Sequence, residues 1–91
     1  AQLASFERTP FEVVDGWLDQ MQALHRDRGS WLPTYRRREI LIALASLMRA
    51  ERDALTDLIV SEGGKPLRDA CVETERAIDG IEIAAAELAL Q

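Results

Sequence analysis

The run Glu62-Gly63-Gly64-Lys65-Pro66 most constrains what this chain can fold into, because it ends one helical pattern and starts another within five residues. Glycine just past a helix end takes up the left-handed conformation that stops the helix, and proline in a first turn gives up only a donor that would go unpaired. The expectation is a sharp helix-helix corner. Its second arm carries Leu67, Cys71, Thr74, Ile78, Ile81, Ala85 and Leu88 at alternating spacings of four and three. Such an apolar stripe has to be covered by something.

Upstream, Thr9-Pro10-Phe11-Glu12 has the spacing of a capping box with proline at the first helical position. From there Phe11, Val14, Trp17, Leu18, Met21 and Leu24 recur every three or four residues, which predicts a helix to about Arg28 with one buried face, closed by Gly29-Ser30. Trp31-Leu32-Pro33-Thr34 reads as a connector. A second helix is expected from about Tyr35 to Ala50, with Ile40, Leu41, Leu44, Ala45, Leu47 and Met48 forming a wide apolar face. A third, over roughly Glu51 to Ser61 through Leu55, Leu58 and Ile59, is either separate from the second or continuous with it. The fourth follows Pro66. No window alternates as a strand does and no internal repeat is present, so the fold class is all-α with about four helices.

A chain of 91 residues is one domain at most, or a piece of a larger one, and folding alone it would bury only roughly 60 to 65 per cent of its unfolded surface. Hydrophobic residues make up 47% of it, too many for a disordered segment. The net charge of -5 is unevenly spread: residues 35–50 hold four arginines against one acid, and residues 51–91 hold ten acids against four bases. That acidic half argues against nucleic acid as a partner. A single cysteine forms no internal disulfide, and no zinc-ligand spacing occurs, which favours a reducing, cytoplasmic setting. Neither a membrane-length apolar run nor a signal sequence is present.

Individual residues of chemical interest have plainer readings beside the functional ones. Cys71 is a conceivable nucleophile, but its place in the stripe, far in sequence from the lone His25, reads as a buried structural thiol. His25 falls in the last turn of the first helix, where a cation is welcome, and reads as a surface or capping residue. Asp69 with Glu73, and Glu75 with Asp79, are carboxylate pairs four apart; the Glu-x-x-His needed for a di-metal bundle is absent, so they read as a solvated face and no metal site is expected. Gly63-Gly64-Lys65 lacks the strand, spacing and hydroxyl of a phosphate loop. Arg36, Arg37 and Arg38 sit in a first helical turn that disfavours cations, and a short patch beginning at Tyr35 and interrupted by Glu39 is a poor nucleic-acid site. Arg76, on the charged flank of the fourth helix, reads on its own as an ion-pair partner of Glu73 or Asp79.

Taken in order, Arg38, Ile40-Leu41, Leu44-Ala45, Leu47, Arg52, Leu55, Leu58-Ile59, the Glu62-to-Pro66 corner, Ala70, Glu73, Ala77 and Ala84-Ala85 resemble the N-terminal helical region of the aldehyde dehydrogenase superfamily, over about residues 12–91. The resemblance implies a parent α/β enzyme with a Rossmann-like cofactor domain, using NAD or NADP to oxidise a small-molecule aldehyde to an acid or acyl thioester. A cytoplasmic, homo-oligomeric parent is expected. In that family a cysteine attacks the carbonyl, hydride passes to the nicotinamide and a glutamate activates water. The motifs carrying those roles, Glu-Leu-Gly-Gly and Gly-Gln-x-Cys, are not in this sequence, and the surroundings of Cys71 do not match the nucleophile's. Residues 1–91 are therefore expected to be an inert fragment with no catalytic or cofactor-binding residues, leaning on the remainder of its polypeptide. That arrangement would explain the alanine-rich fourth helix, which permits close approach but buries little area.

The run Val72-Glu73-Thr74-Glu75-Arg76 further resembles the Val-Glu-x-x-Arg form of this helix in branches acting on acidic aldehydes, where it borders the substrate tunnel. That implies a substrate-binding role for Arg76, whose planar fork suits carboxylate or phosphate. The competing expectation is a free-standing α-helical interaction module that dimerises or grips a partner helix through the stripe of the fourth helix.

Overall fold

The computed structural model describes residues 2–90. These comprise α1 (Phe11–Arg26), a 3-10 turn (Arg28–Ser30), α2 (Thr34–Ala50), α3 (Arg52–Gly63) and α4 (Leu67–Leu88), with no strand among the described residues. The chain divides into two units at the boundary between Leu32 and Pro33.

Three of the four helices start in the same way. Pro10, Pro33 and Pro66 each stand in extended conformation immediately before α1, α2 and α4. Their carbonyls accept the first helical bonds, from Val14 at 3.3 Å, Arg37 at 3.1 Å and Ala70 at 3.1 Å. Proline suits this place because it has no N–H to leave unpaired and holds the preceding residue extended. The expected Thr9 capping box does not form, and α1 has no side-chain cap. With Pro10 as the cap residue, Thr9 stands one position too far out for its hydroxyl to reach the first free amides.

In the first unit, α1 buries none of its residues. The predicted stripe is present as a pattern yet uncovered, with Trp17 52% and Met21 63% exposed. Its C-terminal end is closed by a side chain from the stretch read as a connector. The Trp31 indole N–H donates to the carbonyls of Leu24 at 3.2 Å and His25 at 3.1 Å. Those are orphan acceptors at a helix end. The His25 ring stacks on Trp31 at 5.3 Å, and the Arg28 guanidinium lies over the same indole at 5.1 Å. His25 is thus exposed at the helix end, as expected, while Trp31 does the capping.

In the second unit α4 is the spine, with α2 and α3 both packed on it. Between α2 and α3 the break is a single residue, Glu51, at φ -106 and ψ 18. Its N–H still reaches Leu47 and its carbonyl still accepts from Leu55, so the two helices are nearly continuous. Gly64 makes the predicted corner: it sits at φ 66, the only positive φ among the described residues, and its N–H bonds the Val60 carbonyl at 2.9 Å.

The core is small. Ala45, Ala70, Ile78 and Ala85 are its buried apolar residues, joined by Thr56 and Thr74, and Ile78 is the largest fully buried side chain. Thr56 and Thr74 bring their hydroxyls within 2.9 Å of each other across α3 and α4. Each also lies within bonding distance of a carbonyl one turn back, Arg52 at 2.9 Å and Ala70 at 3.0 Å. Two hydroxyl protons serve those three contacts, so two are made at any moment and neither hydroxyl is left unpaired.

The covered line on α4 departs from the predicted stripe at one end. Thr74, Ile78 and Ala85 are buried as expected and Ile81 and Leu88 are half-buried, but Leu67 and Cys71 are exposed and Ala70 takes the covered place. Spacings of four from Ala70 to Thr74 to Ile78 drift by about 40° per step on a helix of 100° per residue. The seam therefore rotates where α4 passes from α3 to α2. Cys71 is accordingly not a buried structural thiol.

Candidate functional site

Ion pairs tie α4 to its neighbours through three of its eight charged residues, Glu73, Glu75 and Glu82. Arg49 of α2 donates to Glu82 at 2.5 Å, Arg52 of α3 donates to Glu75 at 2.9 Å, and Lys65 of the corner pairs with Glu73. The hydrogen bond from Arg49 to Glu82, and then the charge of Glu82, push the Arg49 guanidinium above its ordinary value; Glu75 does the same to Arg52. These side chains are largely open to water, which screens the pairs, so each contributes little to stability.

Arg76 stands apart. It is exposed on α4 and makes no ion pair or hydrogen bond with any described residue, although Glu73 and Asp79 lie three residues to either side. The simple expectation of a pair within the helix is therefore not met. Glu73 is turned to Lys65, and Asp79 adds to the acidic field around Arg49. What remains is a guanidinium on the rim of an open depression of about 520 Å³, shared with Lys65, Asp69, Val72 and Glu73. A planar fork of five donors with no partner is equipped to hold a carboxylate or a phosphate.

The other residues singled out in the sequence do not gather here. Cys71 lines a smaller depression with Arg52, Asp53, Thr56 and Glu75, without a histidine. His25 lies in the first unit. Of the arginine run, Arg36 pairs with Glu39 at 2.9 Å and Arg37 donates to Thr34 at 3.2 Å, so two of the three cations find partners within their own helix turn. Arg38 faces the groove between α2 and α4, near Ile42, Arg49 and Glu82.

Lys65 lines the same depression, although the sequence reading places it only in the corner. Its eight-residue separation from Glu73 fits no rule for one helix. The signal was the corner itself, since a left-handed glycine followed by Pro66 brings the chain back over the first turns of α4.

Dinucleotide sites place a glycine-rich turn between a strand and a helix. Here no strand occurs among the described residues, and Gly63-Gly64 joins two helices.

A family description, the aldehyde dehydrogenase family, matches residues 2–90. Among characterised proteins, a D-glyceraldehyde dehydrogenase (NADP(+)) from Picrophilus torridus is 35% identical over 80 residues, which is 88% of this chain and 16% of the relative. A malonate-semialdehyde dehydrogenase 1 from Bacillus licheniformis is 35% identical over 57 residues, 63% of this chain and 12% of the relative. The chain thus spans less than a fifth of the length of either relative. No solved structure matches it significantly.

Proposed function

Because the chain belongs to the aldehyde dehydrogenase family, we propose that its helices form the N-terminal helical segment of the cofactor-binding domain of an NAD- or NADP-dependent enzyme that oxidises an aldehyde. In that enzyme Arg76 binds an anionic group of the substrate. The unpaired guanidinium between two acids carries this reading, because an exposed arginine so placed would ordinarily take one of them. The names of the relatives support the chemistry from two sides: both are aldehyde oxidisers, one named for NADP(+), and malonate semialdehyde carries a carboxylate where D-glyceraldehyde carries none.

The chain's own part is to bind and orient. Nucleophile, hydride acceptor and water-activating base all belong to the rest of the polypeptide, against which α2, α3 and α4 lean as a scaffold. The parent is a cytoplasmic homo-oligomer in this reading, with no nucleic-acid or membrane partner. No helix among the described residues is long and apolar enough to cross a membrane.

The test is Arg76→Ala in the full-length enzyme, assayed with matched aldehydes: succinic semialdehyde against butanal, and glyceraldehyde 3-phosphate against D-glyceraldehyde. Losing a hydrogen-bonded charge partner raises KM for the preferred anionic member by roughly tenfold or more, and leaves the neutral member within about a factor of two. Equal changes for both members of both pairs would refute the substrate role.

A further inference from the structure

Arg76 has two acidic neighbours at helical spacing, yet its guanidinium is open. An arginine and a glutamate three residues apart on one helix face pair readily. Glu73 is instead paired with Lys65, which the corner at Gly64 and Pro66 places near the first turns of α4. Both cations and Glu73 line the same depression, so the two possible partners of Glu73 compete within one site.

We propose that Lys65 is a positioning residue: by holding Glu73 it keeps the Arg76 fork free for the anionic end of the substrate. This rests on the reading of Arg76 given above. Without the lysine, Glu73 swings toward Arg76 and becomes an internal competitor, a tethered carboxylate occupying the donors meant for the substrate's. Asp69, which shares the depression, lies seven residues from Arg76 and four from Lys65, so it is the acid left to the lysine if Glu73 is removed.

The experiment uses the full-length enzyme with succinic semialdehyde and butanal. Lys65→Met is expected to raise KM for succinic semialdehyde about 1.5- to twofold, the worth of one helical ion pair, with kcat and the butanal KM unchanged. Adding Glu73→Gln removes the competitor and restores the original KM. Lys65→Arg, which keeps the pair, behaves as the unaltered enzyme.

A loss that persists in the Lys65→Met/Glu73→Gln variant would assign Lys65 to direct contact with the anion and overturn the positioning role. So would no loss in Lys65→Met. Should Arg76→Ala itself fail to separate the two aldehydes, the substrate reading and this proposal go together. If Arg76→Ala separates them and the lysine variants do not follow the pattern, only the role of Lys65 is lost.

Discussion

Single residues set the geometry of this chain at two places where substitution has a definite sign. Gly64 adopts φ 66, and no atom stands within 4 Å of where a Cβ would be, so alanine there suffers from backbone strain alone. Gly64→Ala is therefore expected to destabilise the full-length protein by about 1 to 2 kcal/mol, measured by denaturant unfolding. Gly63, in helical conformation one position earlier, has only a Lys65 side-chain carbon at 4.0 Å. Gly63→Ala should be neutral or stabilising, and the contrast between neighbours is the check. The corner was legible because only glycine tolerates that conformation. The Thr56–Thr74 pair was not, since a threonine in an apolar pattern gives no sign of whether its hydroxyl meets another across the seam. Each of the two has a backbone carbonyl to fall back on, so Thr74→Val should cost only about 0.5 to 1.5 kcal/mol.

At the scale of the element, period and punctuation are enough to find all four helices, and each start falls within a residue or two of the one expected. Which face each helix covers was harder to read. On α3, Leu58 was expected in the apolar face and is 55% exposed, while Thr56 is buried. On α4 the seam turns between Ala70 and Ile78. A stripe read from one helix assumes one neighbour along its whole length, and α4 has two. The ties between these elements are exposed ion pairs, and titration of their arginines does not govern them at neutral pH. A base whose value is raised on folding contributes stability below its unfolded value and loses it only as pH climbs through the folded one. For Arg49 and Arg52 that window lies far into alkali. Salt is the useful lever. A double-mutant cycle on Arg52→Gln and Glu75→Gln should show a small favourable coupling at low salt that shrinks at 1 M, where the screening length falls to about 3 Å.

Among the described residues large apolar side chains lie exposed in both units. In the second unit Ile40, Leu47, Leu58, Leu67 and Ile83 are between 49% and 67% exposed, and in the first unit Phe11, Leu18 and Leu24 are between 57% and 75% exposed. Among the described residues four apolar side chains are buried, three of them alanine, and each ordered residue costs about 1 to 2 kcal/mol of backbone entropy. The cover, on the family reading, comes from the rest of an enzyme of which this chain spans a small part. Residues 1–91 expressed alone should then melt over a broad range by circular dichroism, bind a hydrophobic dye and show no discrete assembly by light scattering. In the full-length protein the same helices should unfold in one transition with the rest, and their amides should exchange with solvent far more slowly. A sharp, dye-free transition of the isolated chain, or a defined dimer at all concentrations, would instead favour the free-standing interaction module. In that case the exposed stripe of α1 and the outer face of α4 would be its working surfaces.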